Sequence, residues 1–263
     1  MKATAKENGG IHKLVRKAYG EVAAKSVSCC SGSSCGCGSA PASSEGELGL
    51  SCGNPVAFSR IKKGMTVLDL GSGAGKDVFI AAPLAGAKGK VIGVDMTPEM
   101  LKLAAKNLVK FTARTGLANV EFRKGKIEKL PVKNAEADLV ISNCVVNLSP
   151  DKAQVFREAF RALRPGGFMV VSDIVLNRDL PPALKKHAGL YAACVAGALL
   201  RLDYLAAIKD AGFTGIKLLS DNAYRAGGTC SDPITDKAGK ALDGAASSIT
   251  VFAGKSKKKK GEK

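Results

Sequence analysis

Val67-Leu68-Asp69-Leu70-Gly71-Ser72-Gly73-Ala74-Gly75-Lys76-Asp77 reads as a strand, a glycine-rich turn and the start of a helix. Glycine at 71 and 73 lets the backbone turn tightly and approach a ligand closely. Alone, a G-x-G-x-G pattern is a weak signal. It gains strength from Asp95, which ends the next expected strand about 20 residues on, where a carboxylate can accept hydrogen bonds from both ribose hydroxyls. Outward from this turn, short apolar strands at Thr66–Leu70, Lys90–Asp95, Val120–Arg123, Ala137–Asn143 and Phe168–Ile174 alternate with amphipathic helices at Lys76–Leu84, Pro98–Thr115 and Asp151–Leu163. Such alternation marks βαβ units and predicts an α/β fold, a doubly wound, mostly parallel Rossmann-like sheet.

Pro98 suits the first turn of its helix with Thr97 as the cap, and Arg164-Pro165-Gly166-Gly167 is expected to form a turn before the next strand. Beyond Asp179 the order changes. Pro181-Pro182 precedes an Ala- and Leu-rich stretch expected to be helical through Leu200, followed by a helix near Asp203–Ala211. Strands at Ile216–Leu219 and Ile249–Ala253 would close the sheet as its antiparallel C-terminal edge. Topology places the Cys194 segment over the C-terminal ends of the strands as a lid. At the other end, Leu14, Ala18 and Val22 recur at helical spacing within Ile11–Val27, which dissolves into the thiol-studded stretch 28–39. The chain thus divides into a helix and flexible cysteine-rich arm at 1–45, a cofactor domain at 46–178, a lid region at 179–254 and a basic tail at 255–263.

Forty Lys and Arg against 23 Asp and Glu give a formal net charge of +17. Part of the excess is the run Lys257-Lys258-Lys259-Lys260, and much of the rest is scattered over helix faces rather than clustered as in a nucleic-acid groove. Aromatic residues are only 5% and tryptophan is absent, so a stacking platform for single strands is poorly supplied. No specific nucleic-acid partner is expected. Met1–Gly10 lacks the apolar core of a signal peptide, and no segment reaches the roughly 20 uninterrupted apolar residues of a membrane span. A cytoplasmic protein is expected, in which the eight cysteines read as thiols for metal or redox chemistry rather than a disulfide framework.

Cys144 is the most telling of them. It lies in Ser142-Asn143-Cys144-Val145-Val146-Asn147-Leu148, directly after a strand, where ligands bind in open α/β sheets. With Cys52 and Cys194 flanking the same domain, it suggests a substrate held by sulfur, a soft and thiol-seeking element. Cys194, amid Ala, Val and Gly, fits a small buried hydrophobe equally well. Cys29, Cys30, Cys35 and Cys37 lack the paired Cys-x₂₋₄-Cys spacing of a zinc site and read as a mobile thiol arm. His12 and His187 adjoin no evident nucleophile and read as surface or structural residues.

The glycine pattern also distinguishes ligands. A dinucleotide site wants G-x-G-x-x-G, with a diphosphate on the helix N-terminus. Here the third glycine comes one residue early, and Asp69 before the turn would repel a diphosphate but suits the cationic sulfonium and amino group of S-adenosylmethionine.

These residues, with Gly125-Lys126-Ile127-Glu128-Lys129-Leu130-Pro131 and Arg164-Pro165-Gly166-Gly167, resemble class I S-adenosylmethionine-dependent methyltransferases. Within that superfamily the chain is similar to the arsenite methyltransferases, through Gly71–Asp77, Ser142–Lys152 and Ser51-Cys52-Gly53-Asn54-Pro55. The resemblance implies that Asp69, Gly71, Gly73 and Asp95 contact the methionine end and ribose of S-adenosylmethionine, with Gly75 and Asn143 in the same site. It implies that Met96 packs on the adenine and that Ile127 meets its edge. Cys144 and Cys194 match the family's arsenic-binding pair, Cys52 the third thiol, and Cys29 or Cys30 the N-terminal one. Two departures stand out. Lys126 occupies a position where many relatives have an acceptor for the adenine amino group, which an ammonium cannot be. Cys35, Cys37 and Cys230 match no family role.

The implied reaction methylates thiolate-bound trivalent arsenic, the substrate being arsenite or its thiol conjugates. Soft centres select thiolates, and three of them leave arsenic a free lone pair to attack the methyl group, so no general base is needed. Methylation oxidises arsenic; neighbouring cysteines could return electrons by forming a disulfide, itself reduced by a thioredoxin-type protein or glutathione. A monomer is expected. Rival readings are a nucleic-acid base methyltransferase, a quinone or sterol carbon methyltransferase, and a non-catalytic thiol metal-binding protein. The first places Pro-Pro-aromatic or Pro-Cys motifs where this chain has Asn143-Cys144-Val145.

Overall fold

The computed structural model describes residues 5–25, 53–185, 191, 194–224 and 244–257. The cysteine arm, Cys52, His187, Cys230 and the last lysines lie outside them. Seven strands form one sheet in the order β3-β2-β1-β4-β5-β7-β6. They are β1 (Thr66–Leu70), β2 (Lys90–Asp95), β3 (Val120–Lys124), β4 (Ala137–Asn143), β5 (Leu163–Leu176), β6 (Thr214–Ala223) and β7 (Ala246–Gly254). The pairs among β1 to β5 are parallel, whereas β7 runs antiparallel to both β5 and β6. The expected doubly wound sheet with an antiparallel edge is what forms.

The helices are α1 (Ala5–Lys25), α2 (Pro55–Phe58), α3 (Lys76–Ala85), α4 (Pro98–Thr115), α5 (Lys152–Ala162), α6 (Pro182–Lys185) and α7 (Arg201–Asp210). Alternation along the strands supplies both faces of the sheet. Leu68, Leu70, Ile92 and Val94 bury against Val155 and Phe156 of α5 and Tyr204 and Ile208 of α7. Val67, Val91, Leu139 and Ile141 bury on the other side against Val78, Phe79 and Ala82 of α3 and Phe111 of α4. Strands covered on both faces read as near-continuous apolar runs, which is why their limits were legible.

Several details differ from the expectations. Arg164–Gly167 does not form a separate turn ahead of β5 but lies within it. Opposite β4 the register jumps from Ala137↔Leu163 to Leu139↔Phe168, so the glycine turn is absorbed as an irregularity of the ladder. Thr97 stands at the N-cap position of α4 but makes no side-chain cap bond; its N–H donates to Asp95 Oδ1 at 2.7 Å. After α6 the described part of the stretch to Leu200 includes turns at 194–197 rather than a continuous helix. On α1 the buried residues are Val15 and Ala23, so the packed face is turned one residue from the Leu14-Ala18-Val22 stripe.

Local devices close the helix ends near the sheet. Asn119 Nδ2 donates to Ala82 O at 2.9 Å and Gly86 O at 3.0 Å, satisfying carbonyls at the end of α3. Lys255 Nζ donates to Phe160 O at 2.7 Å and Leu163 O at 2.8 Å and lies 4.3 Å from the Phe160 ring centroid, so one cation caps the C-terminus of α5. We expect Lys255→Met to lower unfolding stability by about 1–3 kcal/mol, read from urea denaturation. An unchanged midpoint would remove the cap from the account.

Candidate active site

Strand order reverses between β1 and β4, and the cleft opens at that switch point, beyond the C-terminal ends of the strands. Gly71 leaves β1 with φ +66. A Cβ there would fall 2.2 Å from Val145 Cγ2, so only glycine lets the two loops touch. The loop is then fastened to β2 and α4: Ser72 N donates to Val94 O at 3.0 Å, Gly73 N to Asp95 Oδ2 at 3.0 Å, and Asn107 Nδ2 to Ala74 O at 3.1 Å. The cleft, about 990 Å³ counted out to its open mouth, is lined by seven of the eight expected cofactor residues, Asp69, Gly71, Gly73, Asp95, Met96, Ile127 and Asn143. Gly75 is the exception. It has φ +97 at the start of α3, and a Cβ on it would meet the Phe79 and Phe122 rings at 2.6 and 2.8 Å, so its role is packing behind the loop.

Three aspartates, Asp69, Asp77 and Asp95, face this space. Burial raises the Asp69 carboxyl well above its usual range, and the charges of Asp77 and Asp95 push it further. Burial raises Asp95 too, opposed by N–H donors from Thr97 and Gly73. Ser72 Oγ, also on the lining, is buried without a hydrogen-bond partner. Crowded carboxylates and an orphan hydroxyl fit a cationic, hydroxyl-bearing ligand such as S-adenosylmethionine and disfavour a diphosphate. Asn143 ties the two halves, donating from Nδ2 to Asp77 Oδ2 and to Gly53 O, each at 3.0 Å.

Cys144 lines the cleft after the end of β4, and Cys194 packs beside it in the same buried cluster. Cys144 has φ +55 and Cys194 φ +64, a left-handed backbone that few non-glycine residues adopt. The Cys194 thiol donates to the Cys144 carbonyl at 2.8 Å. Burial raises the Cys194 thiol pKa well above its usual value, and the Asp173 charge adds to this. Cys144 is disulfide-bonded and Cys194 is a free thiol. Cys29, Cys30 and Cys52 lie outside the described residues, and among the described residues no three His, Cys, Asp or Glu side chains are placed to hold a metal ion.

Sequence reasoning passed over the supports of this loop. Asn147 Nδ2 donates to Ile174 O at 2.6 Å, Tyr191 Oη to Leu148 O at 3.4 Å and Lys152 Nζ to Ser149 O at 2.8 Å, pinning residues 147–149 from below. Burial pushes Asp173 up to about 7 and Lys152 down to about 8. Tyr204 Oη donates to Asp173 Oδ2 at 3.3 Å. Above the cleft α1 contributes His12, Val15 and Tyr19 to the lining. His12 Nε2 lies 2.9 Å from Glu128 Oε1, with Lys126 Nζ 3.3 Å from Nδ1. His12 is thus structural, as read, but at the rim of the site. The only signal available was the second helical stripe Ile11-Val15-Tyr19.

The profile of a methyltransferase-domain family matches residues 61–227. An arsenite methyltransferase of Halobacterium salinarum is 48% identical over 65% of this chain and 43% of its own length. One of Aquipseudomonas alcaligenes is 39% identical over 80% of this chain and 64% of its own length. The chain therefore spans 43% and 64% of the length of these two curated relatives. The crystal structure of an arsenic (III) S-adenosylmethionine methyltransferase from Chlamydomonas reinhardtii superposes with a TM-score of 0.66 at 38% identity, covering 79% of this chain and 67% of that one. No helix among the described residues is long and apolar enough to cross a membrane.

A carboxyl raised to about 7 binds its proton more tightly in the folded protein than in the unfolded chain. Its stabilising contribution is fully present below about pH 4 and is lost as pH rises through about 7. Wild-type stability relative to Asp173→Asn should therefore decline across that window by on the order of 4 kcal/mol at most, measured by denaturant titration at successive pH values. A difference that is flat or rises would contradict a buried, reluctant carboxylate.

Proposed function

Because this chain belongs to the methyltransferase-domain family, and within it to the arsenite methyltransferases, we propose that it transfers a methyl group from S-adenosylmethionine to trivalent arsenic held by cysteine thiolates. The observation that carries this reading is the contact of Gly71 with Val145, which joins a carboxylate-lined cleft to the loop bearing Cys144.

S-adenosylmethionine supplies an electrophilic methyl group on a positively charged sulfur. Asp69 and Asp77 hold the cationic methionine end, Asp95 the ribose, and Met96 and Ile127 the adenine. Cys144 and Cys194 bind arsenic, with Cys52 and Cys29 or Cys30 as the further thiols. On binding arsenite, at most three of these thiols at a time form arsenic–sulfur bonds, each as one arsenic hydroxyl departs with the thiol proton as water, which leaves the arsenic lone pair free. The arsenic lone pair becomes the bond to carbon, so no residue need remove a proton from the nucleophile. Holding that lone pair beside the methyl group recovers up to roughly 7–11 kcal/mol of orientation entropy.

Arsenic leaves this step pentavalent. Two cysteine thiols return it to the trivalent state by giving up two electrons and two protons and forming a disulfide. The disulfide at Cys144 supports such a cycle. A thioredoxin-type protein or glutathione of the cytoplasm then restores the thiols, and the chain works as a monomer. A quinone or sterol carbon methyltransferase would leave the adjoining thiols Cys144 and Cys194 without use.

Arsenite, S-adenosylmethionine and a thiol reductant should yield methylated arsenic, detected by chromatography with elemental mass spectrometry; no product under these conditions rejects the assignment. Cys144→Ser should lower turnover by roughly 100-fold or more while calorimetry finds cofactor affinity unchanged. Asp69→Asn should weaken S-adenosylmethionine roughly tenfold, the worth of a charged hydrogen bond, and S-adenosylhomocysteine less, since its sulfur is uncharged. Equal losses for both ligands would mean that Asp69 does not sense the sulfonium.

A further inference from the structure

Tyr19 has no part in the reaction as proposed, yet it touches both halves of the site. It extends the stripe Ile11-Val15-Tyr19 of α1, which packs with Cys144, Leu148 and Cys194. Its hydroxyl hydrogen-bonds the Cys194 thiol, and its ring lines the cleft in the field of Asp95. Cys194 is 3% exposed and, unlike Cys144, does not line the cleft. Among the described residues the hydrogen bonds of its sulfur run to the Cys144 carbonyl and to Tyr19. Tyr19, itself on the cleft lining, thus covers the sulfur on the side of the cleft.

The helix carrying Tyr19 is held lightly at its outer end. There α1 meets the rim through the polar clasp of His12, Glu128 and Lys126, and its neighbouring Leu14 and Ala18 are only half-buried. Breaking a clasp of partly exposed polar groups is cheaper than breaking core packing. The inner face, with Val15 buried, re-forms the cover once the helix returns.

We propose that Tyr19 is a gate on Cys194: α1 lifts at the His12–Glu128 clasp, the phenol leaves the thiol, and only then does Cys194 enter the cleft. On the arsenic reading, on which this clause alone rests, Cys144 captures arsenic first and Cys194 last. In that last exchange Cys194 gains an arsenic–sulfur bond, and an arsenic-bound hydroxyl leaves with the thiol proton as water. Tyr19 is a positioning residue here, acting through the thiol it covers.

The test is the rate at which iodoacetamide alkylates Cys194 in the reduced full chain, followed by peptide mass spectrometry with Cys144 as the internal standard. Tyr19→Phe keeps the ring and removes one hydrogen bond, so Cys194 should react roughly fivefold faster. His12→Ala, which opens the clasp, should also raise the rate, and Tyr19→Ala should raise it most. Cys144, already on the lining, should change little in each. Unchanged Cys194 rates in Tyr19→Phe and His12→Ala overturn the gate, and so does an equal rise at both cysteines, which means general loosening. In a second arm, arsenite should protect Cys144 before Cys194 in the wild type, with the lag shortened in Tyr19→Phe. Protection of neither thiol rejects the arsenic reading and leaves the gate to be judged by alkylation alone.

Discussion

The contact between the bare Cα of Gly71 and the side chain of Val145 is the constraint around which the site is organised. β1 and β4 pair with Leu70 opposite Ser142, so the loops that follow them leave the sheet side by side. Whether they touch is then decided by one missing methyl group, because a Cβ at 71 would overlap Val145. Touching loops put the carboxylates of the glycine turn and the Cys144 backbone on the same cleft.

Around that contact the protein spends stability in several places. Asp69, Asp77 and Asp95 crowd like charges in a partly desolvated space, and the left-handed backbone at Cys144 and Cys194 is strained. These costs are tolerable because the scaffold beneath is rigid. Leu68, Ile92 and Val140 are fully buried, and residues 144–149 are held by the side chains of Lys152, Tyr191 and Cys194 and by the Ile174 carbonyl. Functional strain on a well-packed sheet is the expected division of labour.

What was legible in the chain was whatever depends on near neighbours. The limits of β1, β2 and β4 were legible to the residue, since strands buried on both faces are near-continuous apolar runs. The glycine turn and Asp95 were legible because their spacing is local. Gly75 was read as a ligand contact, although its partners are the Phe79 and Phe122 rings. The α1 face was read one residue off, because Leu14-Ala18-Val22 and Val15-Tyr19-Ala23 are equally periodic and only the partner surface chooses between them. Tyr19 showed only that second helical stripe, and Lys152 and Asp173 carried no pattern at all. Their meaning comes from contacts such as His12 with Glu128, 116 residues apart, which no periodicity encodes.

The place of β7 has a consequence for how the chain comes to be made. β6 is translated before β7 and among the described strands pairs with it alone, and β5 offers its outer edge to β7 along nine registered residues. While residues 246–254 are still inside the ribosome, the nascent protein therefore carries an orphan strand and an open sheet edge. Such edges recruit other chains. The parallel half can collapse early, but the domain is protected from self-association only when β7 slides between two strands already waiting for it.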